Sequence, residues 1–163
     1  MGVRATLSVM TRARGADIAM ALALFAAGSA ADAAEWVTLS IKGHEVEAEL
    51  AVTPAERARG LMGRRQLGPN QGMLFVYGVS AIQRMWMVNT VIPLSVAFID
   101  EHGVIINIAD MEPLSARVHS SEAPASYALE VNQGWFAARG IGPGDRVEGL
   151  DRAASRGSAT RRK

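Results

Sequence analysis

A chain of 163 residues with 49% apolar and 20% charged side chains carries enough apolar surface for one packed domain, which excludes a wholly disordered protein. It has no cysteine, which excludes disulfides, thiol nucleophiles and thiolate metal centres. The formal charge of +1 hides a division: residues 34–149 hold nine Lys and Arg against 13 Asp and Glu, whereas residues 150–163 hold five basic residues and one Asp. An acidic domain of this kind argues against nucleic acid as a partner.

The N-terminal 33 residues read as a signal peptide. Arg4, Arg12 and Arg14 form a positive n-region, Ile18 to Ala27 an apolar h-region, and Ala31-Asp32-Ala33 a small-residue cleavage site. The apolar run is about ten residues, half of the ~20 needed to cross a bilayer, so the expectation is cleavage and a mature chain starting near Ala34. Ala13 separates Arg12 from Arg14, so this is not a twin-arginine signal. The expected location is periplasmic or secreted, with no transmembrane segment in the mature protein.

Residues 34–149 then read as one β-rich domain. Trp36 to Ile41 and His44 to Val52 alternate around Lys42-Gly43, which predicts an antiparallel hairpin with Val46, Ala48, Leu50 and Val52 on one face and Glu45, Glu47 and Glu49 on the other. Thr53-Pro54-Ala55-Glu56 carries a capping residue, a proline at the first helical position and the acid of a capping box, and it opens a short helix that Gly60 closes. Residues 63–71 are polar and turn-forming, and Gly72 to Tyr77 reads as a buried strand.

The most apolar part of the domain follows, from Met85 to Asp100. Its ends are rich in aromatic and β-branched residues, and Asn89-Thr90 and Pro93 supply a bend between two strands. Glu101-His102-Gly103 turns the chain into a further strand from Val104, and Glu112 to Pro124 reads as a long surface connection. Ala125 to Val131 alternates as a strand, Trp135 to Arg139 as a second short helix, and Arg146 to Gly149 as a last strand. Residues 150–163, basic and containing Gly, Ser and Ala, read as a disordered tail.

Few of these residues suggest chemistry. His44, His102 and His119 have no metal-ligand spacing, and phosphate loops and nucleophile elbows are missing, so no metal or cofactor is expected. Asp100 and Glu130 lie at or near apolar strand ends, where burial raises a carboxyl pKa and suits it to general acid or base work. The competing readings are a turn residue for Asp100 and an ion pair with Arg57 or Arg64 for Glu130. An aromatic, an amide and a guanidinium are also the groups that grip a sugar or other polar molecule, which singles out Trp86, Asn89, Thr90, Arg57 and Glu130 as a binding set.

Glu56-Arg57, Gly60-Leu61-Met62 with Arg64, Gly72-Met73-Leu74-Phe75, Met85-Trp86-Met87, Asn89-Thr90, Ile92-Pro93-Leu94, Phe98-Ile99-Asp100, Pro124-Ala125, Leu129-Glu130 and Gly144-Asp145, taken in order, resemble the family catalogued as domain of unknown function number 192. The resemblance spans Val46 to Val147. It implies a β-rich α+β domain, often exported, and no established activity. The family often has Lys where this chain has Val88 and Asp where it has Ser95, which weighs against an enzyme built on the latter position.

The reading of the whole chain is an α+β fold, mainly antiparallel strands in a small barrel or sandwich with two short helices. Its expected role is to bind a small, sugar-like polar ligand or an envelope protein. The alternatives are a hydrolase or lyase using Asp100 or Glu130, and a purely structural domain.

Overall fold

Lys42 and Gly43, with φ of 51° and 79°, form the left-handed two-residue connection that a tight hairpin demands, and glycine adopts it without Cβ strain. They join β1 (Trp36–Ile41) to β2 (His44–Ala51), antiparallel, with Ile41 opposite His44. The computed structural model describes residues 34–160; the segment read as a signal peptide lies outside the described residues. On β2, Val46, Ala48 and Leu50 are buried while Glu45 and Glu47 face solvent, the alternation that a half-buried strand imposes.

Thr53 caps α1 (Pro54–Arg59). Its Oγ1 accepts from Glu56 N at 3.2 Å, and Glu56 Oε2 accepts from Thr53 N at 2.7 Å and Val52 N at 2.8 Å. Burial pushes the Glu56 carboxyl up, but these donors outweigh it and hold its pKa below the usual carboxylate value. The crossover through α1 brings β3 (Gln71–Ala81) back parallel to β2, the one parallel pair among the described strands.

All other pairings are antiparallel. β8 (Ala125–Asn132) lies between β3 and β5 (Leu94–Ile99), β5 pairs with β6 (Ile105–Met111), and β9 (Val147–Glu148) pairs with β1. The seven strands run β6-β5-β8-β3-β2-β1-β9. At one end the sheet curls until its two edges meet: Val104 bridges Arg146, Ile105 N donates to Asp145 O at 2.9 Å, and Val147 N donates to Gly103 O at 2.8 Å. The result is a mainly antiparallel α+β fold, a barrel joined only along part of its seam. A separate two-stranded ribbon pairs β4 (Arg84–Met85) with β7 (His119–Ser120), the latter inside the stretch expected to be a plain surface connection.

The sheet is buried on both faces, which is why every residue of β5 is inaccessible. One face builds the first core from Leu39, Ile41, Val46, Leu74, Ala97, Ile99, Leu129 and Val131, capped by Trp135 and Phe136, whose rings meet edge to face at 5.3 Å. The opposite face of β3, β5 and β8 builds the second from Met73, Phe75, Leu94, Val96, Phe98 and Ala128, covered by Leu61, Met85, Met87 and Ile92.

The C-terminal part differs from expectation. Only Ala137–Arg139 form a helical turn, of 3-10 type, where a short α-helix is predicted over 135–139. The second helix is instead α2 (Leu150–Thr160), inside the segment read as a disordered tail. Leu150 and Ala153, one turn apart, are buried in the first core, and that contact orders a segment whose composition alone favours disorder.

Candidate functional site

Because Leu129 and Val131 point into the first core, Glu130 must project from the other face of β8, where its neighbours across the sheet are Met73 of β3 and Val96 of β5. Its side chain is therefore set among apolar residues and only 4% exposed. Neither Arg57 nor Arg64, the expected partners, pairs with it. Arg64 forms an ion pair with Glu49. The Arg57 guanidinium donates from Nη1 to Val52 O and, at 2.9 Å, to Val76 O, and lies 5.6 Å from the Tyr77 ring centroid, so it ties α1 to the residue that follows β2 and to the middle of β3. The Glu130 carboxyl makes no hydrogen bond or ion pair among the described residues, and burial pushes its pKa up to about 8. At neutral pH it is mostly a protonated acid.

What Glu130 faces is a cavity of about 220 Å³. Residues 57–62 of α1 and the turn after it form one wall, Phe75 and Tyr77 the floor beside Glu130, and Arg84, Met85, Trp86 and Thr90 the opposite wall. Tyr77 Oη donates to Met85 Sδ at 3.1 Å, fixing floor to wall; burial and then the nearby Glu130 raise the phenol's pKa. Met85 and Met87 are buried in the second core, which turns Trp86 outward to 47% exposure at the cavity rim. Three arginines, Arg57, Arg59 and Arg84, also line it. The last two are exposed and without a hydrogen bond or ion pair among the described residues.

Four members of the expected binding set, Trp86, Thr90, Arg57 and Glu130, thus line one cavity. Asn89 does not: it is exposed, adopts φ 61° in a turn, and its carbonyl accepts from Gly63 N at 3.0 Å, pinning the loop beyond α1. Thr90 is buried, and its backbone holds the neighbouring connection through Leu114 N to Thr90 O at 2.9 Å. Asp100 lies away from the cavity wall, with Oδ1 accepting from His102 N and Val104 N, each at 2.8 Å, to shape the β5–β6 turn. Ser95 points toward the first core, where its hydroxyl donates to Asp110 and accepts from Gly134 N at 2.9 Å. Among the described residues no three His, Asp or Glu side chains converge as a metal site requires.

Sequence reasoning did not single out Tyr77, Arg59 or Arg84. Tyr77 had a signal, since it continues the face of Met73 and Phe75 at spacing two. Arg59 and Arg84 had none, because α1 and the β4–β7 ribbon come together only in the folded chain.

The fold and site define a small β-rich α+β domain with one arginine-rimmed cavity over a buried carboxyl. Residues 37–149 match the family model DUF192, described as Uncharacterized ACR, COG1430, and the chain belongs to that family. It is similar to a solved protein from Sinorhizobium meliloti 1021 proposed as a transcription regulator, with 42% identity, a TM-score of 0.67, and coverage of 72% of this chain and 95% of that one. It is also similar to a protein of unknown function from Novosphingobium aromaticivorans DSM 12444, with 36% identity, a TM-score of 0.69, and coverage of 73% and 89%. No curated protein matches the chain.

Proposed function

We propose that the domain is a binding module and that the cavity between α1, β3, β8 and the Arg84–Thr90 segment holds a small polar ligand. The observation that carries this is Glu130, a carboxyl almost wholly buried yet without a protein partner, facing open space beside a half-exposed tryptophan. Among the described residues no fully buried side-chain oxygen lacks a hydrogen bond, so the unpartnered carboxyl opens onto the cavity, where a ligand's hydroxyl or carbonyl can meet it. The volume, below the roughly 300–1,000 Å³ of pockets for drug-sized ligands, limits the occupant to a small molecule.

An acid or base catalyst is less well supported. Glu130 is in the protonated form a general acid needs, but the other ionisable groups lining the cavity are arginines and Tyr77, with phenol pKa raised, so a complementary base is missing from the described wall. Docking of an envelope protein is the second reading, favoured by Trp86, Val88 and Val91, all 38–47% exposed within one short stretch. The acidic balance of residues 34–149 speaks against transferring the transcription-regulator role proposed for the Sinorhizobium relative to this chain, if that role needs contact with nucleic acid.

The same proposal places the domain outside the cytoplasm, on the strength of the n-region, h-region and cleavage site in residues 1–33. Among the described residues no helix is long and apolar enough to cross a membrane. Thermal-shift and calorimetric screening of sugars, nucleosides and organic acids tests the binding role. A ligand that stabilises the wild type and fails to bind Glu130→Gln and Trp86→Ala supports it; a ligand indifferent to both variants overturns it.

A further inference from the structure

The cavity's charge is opposite to that of the domain around it. Residues 34–149 carry nine basic against 13 acidic residues, yet among the described residues that line the cavity Glu130 is the one acid, against three arginines, Arg57, Arg59 and Arg84. Arg57 is largely committed to the Val52 and Val76 carbonyls. Arg59 and Arg84 are not committed to any group among the described residues, and they approach from different elements, one at the last turn of α1 and one on β4. Two uncommitted arginines on different elements lining one cavity are the residues suited to bind a carboxylate or phosphate, through paired N–H donors in fixed planes.

We propose, building on the binding role above, that the occupant is a small hydroxylated organic anion: its acid group is held between Arg59 and Arg84 at the mouth, its uncharged end reaches Glu130, and one apolar face lies on Trp86. A cationic ligand would enter a cavity lined by three arginines, and a wholly neutral one would leave Arg59 and Arg84 without use. The buried carboxyl at the other end, protonated at neutral pH, both donates and accepts, which suits a hydroxyl or carbonyl and not a second full charge. Trp86, half-exposed, supplies the flat apolar surface on which the C–H face of a hydroxylated ring or chain lies.

Calorimetry with matched probes tests this: glucuronate against glucose, malate against malamide, uridine 5′-monophosphate against uridine, and glucosamine as the cation. The expected result is that at least one anion binds and its neutral counterpart binds at least tenfold more weakly. Added salt should weaken binding, and Arg59→Gln/Arg84→Gln should erase most of the anion's advantage while leaving the ligand-free melting temperature unchanged. The carboxylate and phosphate probes separate the two kinds of acid group. If a neutral probe binds as tightly as its anion, with binding still lost in Glu130→Gln, the pocket stands and the anion inference falls. Preference for glucosamine overturns it too, and a folded wild type that binds no probe overturns both readings.

Discussion

Gly60 lies directly over the ring of Phe75: a Cβ at that position would stand 3.3 Å from Phe75 Cζ, and the backbone there has φ of 48°. The glycine both ends α1 and lets the turn that follows approach the cavity floor. Gly60→Ala should therefore strain the backbone and press on the ring, with a loss of about 1–2 kcal/mol in urea unfolding. Gly63→Ala has positive φ but no neighbour within 4 Å, so it should show the backbone cost without the steric one. Equal losses in the two variants would mean that contact with Phe75 does not matter.

Glu130 makes stability fall as pH rises. Below its ordinary pKa of 4.5 the carboxyl is neutral in both states; between there and about 8 the unfolded chain releases a proton that the folded chain keeps. Stability should decline across that window by up to ~1.4 kcal/mol per pH unit and level off above it, a total on the order of 5 kcal/mol. Glu130→Gln should remove this decline and be the more stable form at pH 8. Denaturant melts from pH 4 to 9 measure both curves, and an undiminished slope in the variant would assign the proton to another group.

Trp86→Ala should leave the fold intact. The indole is half-exposed while Met85 and Met87 carry the packing of that segment, so the expected loss is ~1 kcal/mol or less, a shift of a few degrees in melting temperature. Met87→Ala, by contrast, opens a hole in the second core and should cost about 2–5 kcal/mol. Thermal unfolding of the pair reads the difference.

Helix α2 should count toward stability. Deletion of residues 150–163 removes Leu150 and Ala153 from the first core and should cost about 2–4 kcal/mol, whereas deletion of residues 161–163 alone should be neutral. Circular dichroism melts of the two truncations decide the matter.

For the N-terminus, mass spectrometry of the protein recovered from the producing cell's envelope should find a chain that starts near Ala34. An intact Met1 there would mean an uncleaved anchor.

Much of this architecture can be read from local patterns. The β1–β2 hairpin follows from alternation around Lys42-Gly43, and α1 from the capping box at Thr53 and Glu56. The outward turn of Trp86 follows from its two methionine neighbours, since extended residues alternate. What resisted reading was decided at long range. Glu130 lost its expected arginine because Arg57 is drawn to the Val52 and Val76 carbonyls and Arg64 to Glu49. Arg84 reached the cavity because β7, in a stretch with no strand-like pattern, folds back to pair with β4. Helix α2 escaped notice because two apolar residues set no period.

The seam between Gly103–Ile105 and Gly144–Val147 is made by main-chain atoms, so it is indifferent to most side-chain substitutions. Its effect is on company more than on stability. Where β9 and the start of β6 would otherwise offer free N–H and C=O groups to any extended chain, each is already occupied by the other. A small, disulfide-free domain at high concentration is thereby denied one template along which copies could polymerise strand by strand, and variants that loosen this join should betray themselves first as aggregation, before any loss of ligand.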